Sequence, residues 1–345
     1  MALDIFADHV TPAELTGYAR EALADRPENA LVLSELLPDT PVNDLQYRFN
    51  RGTDAGLISA ANFRSYDAEP TFGKRDGFMR ITGELPAIGQ QYVLDEYSQL
   101  RLRNADQEVR DVLLRDTVRI VRSIDTRMEF ARADALVNGS VTIADNGVMA
   151  TVSFGRKSEH SVVPAGAAWS DLDDSVPIDD LQAWSDIYVD TNGTLPGQIW
   201  TSTRVMRLLC RNKQFLDSVY PNGTVNVGTV RPNNVNDVLS DFGLPALRIY
   251  DARAIDQLGV SRRYIADDKV LFLPPPGQKL GETTYGATLE SQQPEYGLAG
   301  GQDLGGIVVG SFINKPTPIR VLTIGSAIGL PILGNPDLTL VADVA

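Results

Sequence analysis

The chain has 345 residues, with 31 Lys plus Arg against 45 Asp plus Glu and a formal net charge of −14. That balance argues against a protein whose work is neutralising phosphates, the single cysteine excludes an internal disulfide, and no run of 18 apolar residues offers a membrane span. The length suits about two domains that together bury about three quarters of the surface of the unfolded chain. The first residues, Met1-Ala2-Leu3-Asp4-Ile5, have neither a basic nor an apolar leader region, so no signal peptide is expected.

Thr11-Pro12-Ala13-Glu14 marks a helix start, with Pro at the first helical position and a capping acid three residues after Thr11. Leu15, Ala19, Ala22 and Leu23 give that helix an apolar face to about Ala24. Leu31-Val32-Leu33 and Leu36-Leu37, punctuated by Pro27, Pro38 and Pro41, are too short to bury themselves and are expected to form an arm packed on something else. From Gln46 to Leu102 the residues alternate as strands do, in Tyr47-Arg48-Phe49-Asn50-Arg51 and Phe78-Met79-Arg80-Ile81-Thr82, around a middle rich in Gly, Pro and charge from Glu69 to Gly77. A long hairpin of this kind is marginal alone and needs a neighbour. Phe63, Tyr66, Phe72 and Phe78 are candidate aromatic anchors for that contact, with Arg64, Lys74 and Arg75 beside them.

Asn104 to Gly139 holds the longest helical period in the chain. Val109, Leu113, Thr117, Ile120, Ile124, Met128, Ala131 and Ala135 recur in steps of three and four, one face of a helix about 50 Å long. Asp106 before Arg110 and Asp111 before Arg115, then Arg119, Arg122, Asp125, Arg127, Glu129 and Arg132, are the pattern of solvated faces. Asn104 with Gln107 resembles a capping box, and Asn138-Gly139 supplies a left-handed stop. One side should pack on a sheet and the other should meet water or a partner, and Arg119 and Arg122 are candidates for an interface between subunits.

A β-hairpin follows from Val141 to Phe154 around Asn146-Gly147. The three sequons beginning at Asn138, Asn192 and Asn222 each open with Asn-Gly and read as turns. After a polar loop with Trp169, helices are expected over Pro177 to Asp190, Thr203 to Asn212 and Asn233 to Phe242, and strands over Gln198 to Thr201, Leu247 to Tyr250 and Lys269 to Leu273, a mixed α+β domain. Gly277 to Gly310 reads as loops and edge strands with little core. Strand composition returns from Pro318 to Ile324 and from Leu338 to Val344, with a Leu330 to Asp337 turn between, and these strands are expected to supply the sheet under the long helix.

Chemistry is sparse. His9 and His160 are far apart and read as surface residues, with no metal set or triad. No phosphate-binding glycine motif occurs, and the acidic run Asp171-Leu172-Asp173-Asp174 with Asp179-Asp180 lacks calcium-loop spacing. Cys210 sits in an apolar run and reads as a buried thiol. No cofactor and no enzymatic activity are expected, although paired carboxylates acting on carbohydrate remain an alternative.

The order of arm, hairpin, long helix, β-hairpin, α+β domain and closing strands resembles bacteriophage major capsid proteins of the HK97-like fold, in the lambda-type major capsid protein E family. The resemblance rests on the helix from Asn104 to Asn138, Phe154-Gly155-Arg156, Trp169-Ser170, Asp179-Asp180-Leu181-Gln182-Ala183 and the Leu330 to Asp337 turn. It implies an α+β fold with an N-terminal arm (1–45), an extended loop overlapping the next subunit (46–102), a peripheral domain (103–176 and 311–345) with spine helix 104–138, and an axial domain (177–310). It further implies hexamers and pentamers in an icosahedral head around double-stranded DNA, expansion on packaging, and assembly in the bacterial cytoplasm. The partners it implies are a separate scaffolding protein, a decoration or cement protein and a portal at one vertex, with neither membrane nor tight nucleic-acid binding. Lys74, the lysine of the loop, is expected to stay uncrosslinked. An encapsulin-like shell or tail tube is the alternative assembly.

Overall fold

A computed structural model of the chain describes residues 4–6, 10–24, 31–51, 66, 79–102, 106–145, 148–221, 228–256, 258–298, 304–315 and 317–345. Its first elements are β1 (Asp4–Ile5), α1 (Pro12–Ala24), β2 (Asp39–Pro41), β3 (Gln46–Arg51), β4 (Met79–Glu84), β5 (Ala87–Leu94), α2 (Glu96–Leu102) and α3 (Asp106–Asn138). The middle holds β6 (Ser140–Asp145), β7 (Val148–Ser153), β8 (Ser161–Val162), α4 (Pro177–Asn192), β9 (Gln198–Thr201), α5 (Thr203–Leu209), α6 (Lys213–Val219) and α7 (Pro232–Asp241). Then come β10 (Leu247–Ile249), β11 (Arg253–Ile255), β12 (Ser261–Arg263), β13 (Lys269–Leu273), β14 (Glu282–Gly286), β15 (Val308–Asn314), β16 (Arg320–Ile332) and β17 (Leu340–Asp343).

Two sheets carry the body. In the first, β16 is central: β15 and β5 flank its early residues and β14 pairs with its later ones, with β1 beyond β15 and β2 beyond β14. The second has the order β10-β9-β13-β17-β8. Its central strands β9, β13 and β17 are buried on both faces, and alternate side chains point opposite ways. Val270 and Phe272 join the core beneath α4, α5 and α7, while Leu271 and Leu273 join the core shared with Phe130 and Leu136 of α3.

The long helix lies on β16 and β5, and every residue of its expected stripe from Val109 to Ala135 is buried. Small residues on one face of β16 allow this approach. A Cβ at Gly325 would overlap Ile120 Cγ2, and one at Gly329 would stand 2.6 Å from Met128 Cε. Gly139, at φ +63°, ends the helix in the left-handed conformation. The proposed cap residue Asn104 lies outside the described residues, but the cap of α1 forms as its sequence predicts, with Thr11 N–H donating to Glu14 Oε2 (3.0 Å) and Glu14 N–H to Thr11 Oγ1 (3.2 Å).

Several expectations are corrected. The hairpin ends at Glu84, since β5 leaves it to pair with β16, whose apolar edge is the better partner. The arm residues Leu33 and Leu37 are buried within their own chain. The segment after Gly277 carries core, with Leu280, Tyr285, Tyr296 and Ile307 to Val309 buried, because β14 and β15 are interior strands of a sheet. The strand expected to stop at Ile324 runs through Gly325 to Ile332, and β17 joins the second sheet, so only β16 of the closing strands lies under the long helix. Helix α6 arises where none was expected, and Asn192-Gly193 closes α4 rather than a hairpin. Asn146-Gly147 and Asn222 lie outside the described residues. Cys210 is buried, as read.

The largest departure concerns charge. Asp125, Glu129 and Arg132, expected on solvated faces of the helix, are all buried. Arg132 Nη1 donates to Glu129 Oε2 (2.9 Å) and Asp125 Oδ1 (3.3 Å), Nη2 to Asp39 Oδ1 (2.5 Å), and Nε to Thr283 Oγ1 (3.0 Å). Glu129 Oε1 accepts from Leu33 N–H (2.8 Å) and the Tyr250 hydroxyl (3.1 Å), while Thr283 donates to Leu37 O (2.9 Å). The network thus joins α3, the 31–41 segment, β14 and the turn after β10. Burial raises the Glu129 pKa against the opposing pull of Arg132. At Arg132 burial works downward, but Tyr285 and the three carboxylates outweigh it and hold the guanidinium charged.

A second junction forms where α3 ends. Arg156 Nη1 and Nη2 donate to the last carbonyls of α3, Leu136 O (2.8 Å) and Val137 O (2.6 Å), groups that a helix end leaves unpaired. Burial pushes the Arg156 pKa down to about 10. Asp337 Oδ1 accepts from Lys157 N–H (2.9 Å) and Asp337 O from Asn192 Nδ2 (2.9 Å). The Phe154-Gly155-Arg156 and Leu330 to Asp337 motifs therefore meet. His160, expected at the surface, is wholly buried here. Its Nδ1 faces Thr339 O at 3.0 Å and must donate, leaving Nε2 to accept from the Thr191 hydroxyl (3.0 Å).

Replacing Arg132 by Met strands buried carboxylates and should cost about 3–5 kcal/mol in urea unfolding of the full chain. Adding Asp125→Asn and Glu129→Gln should recover much of that loss; an Arg132→Met chain as stable as its parent would remove the network's structural role. Burial lowers the His160 pKa, so its contribution is complete above the ordinary value of about 6.5 and is lost as pH falls through the folded value. Between pH 7.5 and 5 the parent chain should therefore lose stability more steeply than His160→Gln, whereas equal slopes would mean that this imidazole does not titrate in that window.

Candidate functional site

Among the described residues no group of three or more His, Cys, Asp or Glu is placed to hold a metal, and no helix is long and apolar enough to cross a membrane. Several of the buried polar groups join parts of the molecule. Asp180 at the start of α4, for example, is buried and accepts from Trp169 Nε1 (2.9 Å), fixing the indole against Trp184 with ring centroids 5.6 Å apart. Among the described residues, what can act on another molecule lies outside, at four places.

The first is the ribbon of β3 and β4. Tyr47 and Phe49 anchor its base near Phe154, and among the described residues neither strand pairs with a third. Of the sequence candidates carried on its far side, Tyr66 is fully exposed at 102%. Phe63, Arg64, Phe72, Lys74, Arg75 and Phe78 lie outside the described residues.

The second is the amino-terminal half of α3. Arg119 and Arg122 are both exposed there, Arg119 within 3.5 Å of Asp116. They border an open groove of about 760 Å³ that also includes Tyr18 of α1 and Leu102 of α2. Burial raises the Asp116 pKa, opposed by Arg119 and Arg115. The structure thus brings Arg119 and Arg122 together on one groove.

The other two escaped the sequence reading. Helix α2 buries none of its residues and exposes Tyr97 and Leu100, and the β11–β12 hairpin exposes Ile255, Leu258 and Val260 around the left-handed Gly259. A signal was present: apolar residues clustered about a turn glycine, where a solvated turn would be polar.

No curated protein matches this chain. Among solved structures it is similar to a prophage protein of E. coli CFT073 assigned as a capsid protein, at 15% identity and a TM-score of 0.66, covering 97% of this chain and 99% of that one. It is also similar to a phage-related protein of Bordetella bronchiseptica RB50, at 14% identity and a TM-score of 0.59, covering 100% of this chain and 98% of that one. At such identities the likeness speaks to the fold alone, an α+β fold of the HK97-like capsid type. Residues 49–343 match the family model of phage major capsid protein E, and the chain belongs to that family as a structural protein of the phage shell.

Proposed function

We propose that the chain assembles as hexamers and pentamers into an icosahedral head that encloses double-stranded DNA and expands as DNA enters. Family membership makes it a self-assembling component of the virion; the observation that carries the finer reading is the ribbon of β3 and β4. A lone two-stranded ribbon is marginal in water, and this one holds at its end the segment 52–78 with its four aromatic and basic-residue candidates. A neighbouring copy that receives this segment would bury those aromatic side chains against its own surface. Tyr66, with Phe63, Arg64, Phe72, Lys74, Arg75 and Phe78, is assigned to that contact.

In this reading the arm is 1–45 and the overlapping loop is 46–84, shortened by the departure of β5. The peripheral domain is α3 with the first sheet, and the axial domain is the second sheet with α4 to α7. A separate scaffolding protein, a decoration protein and a portal complete the particle, which assembles in the host cytoplasm. The role is not enzymatic. A subunit of net charge −14 repels phosphate, so the shell does not hold its genome by tight or sequence-specific binding.

Electron microscopy of the purified protein tests the reading. Closed shells are expected, and tubes or dispersed particles under all assembly conditions would overturn it. Replacing residues 53–77 by Asn-Gly should leave circular dichroism and the unfolding midpoint close to those of the parent yet abolish closed shells. Each lost contact weakens its association about tenfold for every 1.4 kcal/mol, and a closed assembly repeats the loss in every subunit. Normal shells from the shortened chain would show that the loop carries no assembly energy.

A further inference from the structure

The groove along the first turns of α3 has a charge pattern that its own chain uses only in part, with Arg119 beside Asp116 and Asp111 accepting from Gln107 Nε2. Val112, Leu114 and Val118 are half-buried along its floor, and Leu102, Val112 and Leu114 continue outward from the core cluster below. Glu108 and Asp111 line it nearer the start of the helix. Arg115, Arg119 and Arg122, spaced four and three apart, form a row farther along. Arg115 Nε donates to the Asp111 carbonyl (3.2 Å) and Arg119 reaches Asp116, whereas Arg122 has no hydrogen bond or ion pair among the described residues. In a chain of net charge −14 this row is a local concentration of positive charge.

We propose that the groove docks an amphipathic helix of another protein, with its apolar stripe on Val112, Leu114 and Val118 and its carboxylates against Arg115, Arg119 and Arg122. From Glu108 to Arg122 the axial rise is about 21 Å, the length of a helix of about four turns, and apolar anchors in a groove with charged flanks are how such helices are recognised. The acidic end formed by Glu108 and Asp111 sets polarity: the partner's acidic residues lie toward Arg122, and basic or neutral ones toward Glu108. Duplex DNA fits less well, because an apolar floor has no counterpart on a phosphate backbone and two carboxylates repel it. A helix of a second copy fits less well too. Among the described residues, α1, α4 and α7 already spend their apolar faces at home, on Leu15 and Ala19, on Leu181, Trp184 and Tyr188, and on Val235, Val238 and Leu239, and α2, which exposes Tyr97 and Leu100, has only 7 residues, about half the length of the groove. The inference stands apart from the ribbon contact and can fail without it.

The probe is a fluorescent synthetic helix of about four turns, with leucines at steps of three and four and glutamates beside them toward one end. Its anisotropy is read against the full-length protein. Saturable binding is expected, at least tenfold weaker for the Arg115→Glu, Arg119→Glu, Arg122→Glu variant and unchanged for Arg204→Glu with Arg207→Glu, exposed positions on α5. A version of the peptide with lysine for glutamate should bind the reversed groove better than the parent groove, a swap that misfolding cannot produce. The reversed variant should still form closed shells. The proposal is overturned if a scrambled peptide binds equally, if reversal leaves binding unchanged, or if a short DNA duplex displaces the peptide more strongly than unlabelled peptide does. It is also overturned if the folded variant loses its shells, which would make the groove a contact between copies.

Discussion

Arg132 is the group on which the arrangement of the chain depends. Three carboxylates, Asp39, Asp125 and Glu129, face one guanidinium, and two of the three are buried with it. Removing these charges from water costs several kcal/mol per ion. The cost is offset only while every donor and acceptor meets its partner, so α3, the 31–41 segment and β14 are each held in one position. An apolar cluster there would hold the segments together but would tolerate sliding; a fan of directional hydrogen bonds does not.

The packing around the network follows from the same helix. Its turns from Ile120 to Met128 sit on the Gly325 and Gly329 face of β16, and its later turns join the core of both sheets, where Phe130 meets Tyr264 with ring centroids 4.5 Å apart. Strands β9 and β13 send alternate side chains to either side, so one sheet serves both the core around Trp184 and the core around α3. At its far end the helix is closed by Gly139 and by the Arg156 guanidinium on its last carbonyls. A strut locked at its middle and its end can carry load between the parts that it joins, which suits a subunit of a shell.

What remains unspent is at the margins: a ribbon without a third strand among the described residues, a short helix with no buried residue, an apolar hairpin tip and a charged groove. Such margins are a liability in a solitary protein, because exposed apolar surface and open strand edges invite association. In a chain of the major capsid protein E family, association is the function.

Local patterns were legible from the residues alone. The period of the long helix, the Thr11 to Glu14 cap, the stop at Gly139 and the strands from Gln198 to Thr201 and Lys269 to Leu273 depend on neighbours within a few positions, and all of them form. The groove residues Arg119 and Arg122 were legible in the same way, as exposed charges on a known helical face. Partners far along the chain were not. Glu129 and Arg132 stand three residues apart and read as a solvated pair, since their spacing is the same whether water or Tyr250 and Thr283 surround them; only the tertiary structure buries them. The same holds for β5, whose alternation suits a ribbon or a sheet equally until β16 offers its edge, and for β17, which is apolar enough for either sheet. Sequence determines which face of an element is apolar, because that is set by side-chain period; which surface meets that face is decided by the competition among all the surfaces of the folded chain.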